Sequence, residues 1–132
     1  MEWELQARCF DWFIREYPAH RKLLCYNHNN SSTQFEGFKN KKIGLQRGRS
    51  DLVLYFDSKA VMIEIKTKRG EQSAAQADWQ MAVEIQGFEY FIVRSLKEFQ
   101  VIINNTINGI HTAEADTGLH DKKAVRAHKR AV

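Results

Sequence analysis

The 132-residue chain is predicted to fold as an α/β domain, a mixed sheet flanked by helices in the order α-β-β-β-α-β-α. Three observations predict it. A helical stripe opens the chain. Two apolar, β-branched runs, Leu52–Phe56 and Val61–Thr67, follow each other across the short segment Asp57-Ser58-Lys59-Ala60. A capped helix, a strand-length apolar run and a second capped helix complete the pattern. Residues 1–110 form the expected domain, and residues 111–132 a basic, weakly ordered tail without periodicity.

The first helix is expected from Glu2 to Tyr17. Trp3, Ala7, Phe10, Ile14 and Tyr17 recur three or four apart, and Pro18 disfavours helical geometry at the residue before it. Glu4 with Arg8 and Asp11 with Arg15 are i,i+4 pairs. Leu23 to Tyr26 suits a short strand. The Asn/Ser-rich stretch that follows, as far as Lys42, reads as a loop. Ser73 and Gln76 form a capping box for a helix to Gln86, with Ala75, Trp79, Ala82 and Val83 as its buried face and Gly87 as its stop. Phe88–Val93 is a buried strand. Ser95 and Glu98 cap a last helix with Leu96, Phe99, Ile103 and Ile107 as its stripe, ended by Gly109. Trp3, Trp12 and Trp79 all lie on helical stripes and are expected in the core.

An apolar fraction of 43% supplies one core at this length. No segment reaches the roughly 20 apolar residues a bilayer span needs, and the first residues lack the basic start and apolar run of a secretory signal. Cys9 and Cys25 have no metal or disulfide spacing. A soluble protein of a reducing, cytoplasmic compartment is expected. The net charge of +4 is modest, but its placement is uneven. Lys39 to Arg49 holds five cations and no acid, as does Lys122 to Arg130. Such runs suit a polyanionic partner, although solvated loop charge explains either one alone.

The chemistry is expected in the third strand, Val61–Thr67. Glu64 and Lys66 point to one face of Val61–Thr67, while Ile63 and Ile65 point to the other. An acid and an amine in an otherwise apolar strand are costly unless they serve a purpose. If Ser58-Lys59 is a two-residue turn, Asp57 pairs with Ala60, Asp51 falls opposite Lys66, and Glu64 is the diagonal neighbour. Side chains so paired lie about 5 Å apart, whereas a one-residue slip sends Asp51 to the opposite face. Asp51, Glu64 and the Ile65 backbone carbonyl make a hard-oxygen set suited to Mg²⁺. Lys66 is placed to position a water or to stabilise developing charge. The plainer reading of a bare E-x-K is a surface salt bridge.

The pattern Gly44-Leu45, then Gly48-Arg49-Ser50-Asp51-Leu52, then Ile63-Glu64-Ile65-Lys66, then Gln76 early in a helix resembles the virus-type replication-repair nuclease (VRR-NUC) domain. This is a branch of the PD-(D/E)XK nuclease superfamily with a restriction-endonuclease-like core. The resemblance covers about Glu4 to Ile103. The family's proline before the aspartate is Ser50 here. The resemblance implies a Mg²⁺- or Mn²⁺-dependent endonuclease, phage-encoded or a repair factor, that cuts branched or flapped DNA. It implies a homodimer, with four-way junctions as a substrate and no small-molecule cofactor. Asp51 and Glu64 would bind metal and Lys66 would be the catalytic lysine. Gln76 matches a family glutamine, beside its capping role, and Glu4 a helix-one acid that reaches the metal, beside its pairing with Arg8. Lys39, Lys41, Lys42, Arg47, Arg49, Lys68 and Arg69 would hold the DNA backbone, with His28 and Asn30 as further candidates. The letters Asn27-His28-Asn29-Asn30 also hint at an HNH nuclease, but one histidine without a second ligand spacing argues against it. Two other readings stay open: a catalytically silent DNA-binding subunit, and a sequence-specific restriction-type enzyme.

Overall fold

A computed structural model describes residues 1–27 and 33–109. The elements are α1 (Glu2–Glu16), a 3-10 turn (Pro18–Leu23), β1 (Leu24–Tyr26), α2 (Gln34–Lys42), β2 (Leu52–Phe56), β3 (Lys59–Ile65), α3 (Ala74–Ile85), β4 (Glu89–Val93) and α4 (Leu96–Asn108). The four strands lie in the order β1-β2-β3-β4. The first three are antiparallel, and β3 and β4 run parallel through the α3 crossover.

The two faces of the sheet bury different cores. On one face α1 and α4 set Cys9, Phe13, Phe99 and Ile103 against Leu52, Leu54, Ile63, Ile65 and Val93. On the other, Trp79 and Val83 of α3 cover a smaller cluster of Val53, Met62 and Tyr90. Pleating places Asp51, Glu64 and Lys66 on this second face, in line with Val53 and Met62. The acids therefore begin where the apolar cover of α3 gives out.

Several local expectations change. The buried line of α1 is Leu5–Cys9–Phe13, at i,i+4 spacing, and Trp3 is 65% exposed rather than in the core. Ala82 is exposed on α3. The polar stretch read as loop contains α2, started by the Thr33 hydroxyl, which accepts from the Glu36 amide at 3.0 Å. Asn and Ser bias pointed to a loop, but a sound N-cap, an acid in the first turn and lysines in the last favour a helix from Gln34 onward. The Ser73–Gln76 capping box is present in both directions. At α4 Ser95 accepts from Glu98 N, while the Glu98 carboxylate reaches back to Arg94 N instead of the N-cap amide. Gly109 ends α4 in the left-handed conformation.

The β2–β3 turn is Asp57-Ser58, both at positive φ (52° and 59°), with Phe56 paired to Lys59. Two left-handed residues are what a two-residue hairpin of matching twist needs, and Asp tolerates that region better than Lys or Ala. Moving the turn back by one residue shifts the whole register by two. Leu52 pairs with Ile63, so Asp51 comes opposite Glu64 rather than Lys66. An even shift keeps every side chain on its face, and the cluster survives.

Candidate active site

Asp51 sits where β2 departs from the ladder. Next in sequence for pairing with the Ile65 amide would be the carbonyl of Ser50. That carbonyl instead accepts from Asn27 Nδ2 at 3.1 Å, and the Asp51 carboxylate takes its place, Oδ2 accepting from Ile65 N at 2.7 Å. Within a strand the N–H and C=O of a residue point the same way, so the Ile65 carbonyl also faces Asp51. Ser50, standing where the resemblance has proline, is fully buried and donates from Oγ to the Leu52 carbonyl at 3.0 Å. The serine thus fixes the entry into β2 by a local hydrogen bond.

Glu64 is fully buried, and Lys66 is 8% exposed. The Tyr90 hydroxyl, one strand over, donates to Glu64 Oε1. Glu64 Oε2 is buried with no hydrogen-bond partner among the described residues. Gln72 Nε2 contacts the Tyr90 hydroxyl at 3.4 Å and bonds Gln80 Oε1 of α3 at 2.8 Å, and Trp79 packs on the Tyr90 ring. Burial holds the Tyr90 hydroxyl far above its ordinary pKa, with its bond to Glu64 adding to the shift, so it stays a donor.

Burial raises the Asp51 pKa above the ordinary carboxylate value. The Ile65 amide opposes this, the Glu64 and Glu2 charges add to it, and Lys66 lowers it. Glu2, and not Glu4, is the α1 acid at this site. A Cβ added to Gly70 would lie 3.5 Å from Glu2 Oε1 and 3.5 Å from Lys66 Cδ. Glu4 is exposed and lies 3.9 Å from the N-terminal amino group rather than in an ion pair with Arg8. The helical repeat lets either acid face the sheet. Only the rotation of α1 onto Cys9 and Phe13 chooses between them.

Two further contacts shape the surroundings. Gly48 (φ +79°) lies against the first turn of α3: a Cβ there would fall 2.3 Å from the Ala75 carbonyl oxygen and 2.7 Å from Gln76 N. Arg94, which the sequence did not single out, donates from Nη1 to the carbonyls of Gly70 at 2.6 Å and Thr67 at 2.8 Å. It holds the turn bearing exposed Lys68 and Arg69. A lone arginine after a strand gives no signal of this, because its partners are backbone groups more than twenty residues away.

Gln76 serves the α3 cap, with Oε1 accepting from Ser73 N at 2.8 Å. Lys39, Lys41 and Lys42 are exposed on α2, Arg47 is exposed and Arg49 half-buried on the way to β2. His28 and Asn30, like the tail from residue 110, lie outside the described residues. Cys9 and Cys25 are free thiols. Among the described residues no helix is long and apolar enough to cross a membrane. Among them, too, no group of three His, Cys, Asp or Glu is set for a metal ion. A cation here would draw on two carboxylates, a backbone carbonyl and water.

No protein-family model matches the chain, and no curated protein does. Among solved structures, a chain described as a VRR_NUC domain protein superposes with a TM-score of 0.69 at 18% identity. The match covers 81% of this chain and 88% of that one. The chain therefore has a VRR-NUC-like, nuclease-type fold.

Proposed function

We propose that the protein is a Mg²⁺- or Mn²⁺-dependent endonuclease that hydrolyses phosphodiester bonds in branched DNA. One observation carries the reading: a fully buried glutamate, Glu64, keeps one oxygen without a partner among the described residues while facing Asp51 across the hairpin, with Lys66 beside it. A buried, unpartnered carboxylate oxygen is expensive, and a hard divalent cation is the partner that satisfies it. Asp51, Glu64 Oε2 and the Ile65 carbonyl are the donors that would hold such an ion. When bound, the ion supplies a lowered pKa for a coordinated water and charge neutralisation at the phosphate.

The protein's own residues do the rest. Tyr90 ties down Glu64 Oε1 and so turns Oε2 to the metal position. The Ile65 amide orients Asp51 in the same way. Lys66, with its stem buried beside Gly70, delivers its ammonium to the face the acids share, where it orients the attacking water or stabilises the phosphate oxygens. Lys68, Arg69, Arg47 and the α2 lysines supply phosphate contacts without reading sequence. The nuclease-type fold of the structural neighbour supports this assignment.

A cleavage panel tests it, comparing duplex, flap, fork, single strand and four-way junction with Mg²⁺, Mn²⁺ or chelator. Nicking of branched DNA is expected with either metal and none with chelator. Asp51→Ala, Glu64→Ala and Lys66→Ala should each lose at least about a hundredfold. Equal cleavage by the wild type and Glu64→Ala would overturn the proposal.

A further inference from the structure

Helix α2 is built inside out. Its half-buried residues are Glu36, Gly37 and Asn40, while its large apolar residues face solvent: Phe35 is 74% exposed and Phe38 61%, with Ile43 just past the helix at 75%. At 3.6 residues per turn, Phe35, Phe38, Lys39 and Lys42 fall within about 100° of one face. Lys41 flanks them. That face therefore alternates flat apolar rings with ammonium groups, and Lys42 Nζ already lies 5.1 Å from the centre of the Phe38 ring. Two exposed phenylalanines in a nine-residue helix are an interaction surface rather than scattered surface apolars.

We propose that this face of α2 binds an unpaired DNA strand, the rings stacking on bases and the lysines pairing with phosphates. Charge chooses the occupant. From Lys39 to Arg49 the chain holds five cations and no acid, and the same segment runs directly into Ser50 and Asp51 of the candidate site. A surface for a second copy of the chain or for an apolar peptide has no use for that uninterrupted positive charge. Stacking platforms interleaved with cations are the chemistry that recognises single strands, whose base faces are open, whereas a duplex hides them. A helix of nine residues, about 13 Å long, is also short for lying along a lipid surface. The inference deepens the nuclease reading and rests on it for the identity of the polyanion: branched DNA offers unpaired bases beside its cleavable bonds.

The test is fluorescence anisotropy of a labelled thymidine 12-mer and a 12-base-pair duplex, in chelator so that nothing is cut. Phe35→Ala/Phe38→Ala should weaken single-strand binding at least about tenfold and duplex binding less than about twofold. Lys39→Ala/Lys41→Ala/Lys42→Ala should weaken both and reduce the salt dependence. Both rings are exposed, so the variants should keep the wild-type circular dichroism. Every arm is read in chelator, without metal or cleavage, which separates this inference from the fate of the catalytic one. Unchanged 12-mer binding by the phenylalanine variant overturns the proposal, as does an equal loss on duplex. A wild-type dimer in sedimentation that the phenylalanine variant abolishes assigns the face to a second copy instead. Binding to phosphatidylserine vesicles lost in that variant assigns it to lipid.

Discussion

The Tyr90 hydroxyl donates to Glu64 Oε1 across 26 residues of chain, and this one bond decides which oxygen of a buried carboxylate is left over. Tyr90→Phe keeps the ring on Trp79 but removes the donor. Two carboxylate oxygens are then buried without a partner, so the metal-free protein should lose about 1–3 kcal/mol of stability. Thermal unfolding in chelator measures it. Added Mg²⁺ should raise the melting temperature less in Tyr90→Phe than in the wild type, because Oε2 is no longer aimed and the ion is held more weakly.

Asp51 gives a pH-dependent counterpart. Its folded pKa is raised, chiefly by burial, so the folded chain holds the proton more tightly than the unfolded one. The resulting penalty is absent below the ordinary carboxylate value, grows as pH rises towards the folded value, and is complete above it. Asp51→Asn should therefore be the more stable protein at pH 7 without metal, an advantage reduced by solvent screening because the site is partly open to water. That advantage should vanish in acid. Mg²⁺ should stabilise the wild type, by about 2.7 kcal/mol at a hundred times its dissociation constant, and leave Asp51→Asn unmoved. Denaturant midpoints across pH, with and without Mg²⁺, check all three statements.

Gly48→Ala should be disabling without touching a reactive group. The added methyl meets the Ala75 carbonyl at 2.3 Å, a backbone neighbour with little freedom to give, at a φ of +79° that disfavours any side chain. We expect a loss of ~2–4 kcal/mol or displacement of the loop from α3. Cleavage should fall with the metal-free melting temperature. A wild-type melting temperature and full activity would show that the loop moves freely.

Arg94→Lys tests the turn after β3. Lysine keeps the charge, but both bonds come from Nη1 at the far end of the guanidinium, beyond the reach of the shorter lysine side chain. Hydrogen exchange at the Gly70 amide, which donates to Thr67 O at 3.1 Å, should quicken at least about tenfold, while the β2–β3 amides keep their protection. Unchanged Gly70 exchange would assign the hold on this turn to other contacts.

What was legible in the sequence was whatever periodicity encodes. The strands, α3 and α4 follow from apolar spacing and caps, and the same-face relation of Asp51, Glu64 and Lys66 follows from an even sequence offset on a pleated ribbon. The register did not follow, because it depends on which two residues accept positive φ. Asp57 and Ser58 do so more readily than the expected pair. Glu4 is the acid the resemblance points to, whereas the site takes Glu2, because only tertiary packing rotates α1. Tyr90 was read as one more apolar residue of a buried strand; its hydroxyl acquires meaning only when β4 lies beside β3. α2 was hidden by its inverted pattern, in which the rings that ordinarily mark a buried face point outward.

The pairing of β3 with β4 has a consequence for the order of events in folding. A local hairpin is enough to bring Asp51 and Glu64 together, and hairpins close within microseconds. Tyr90 arrives only after the α3 crossover has docked, the slower, non-local step. A chain halted at the hairpin would hold both acids in water, where neither is strained and neither is aimed. The aim of the Glu64 carboxylate is thus conferred by the strand that joins through the crossover, not by the hairpin that gathers the acids.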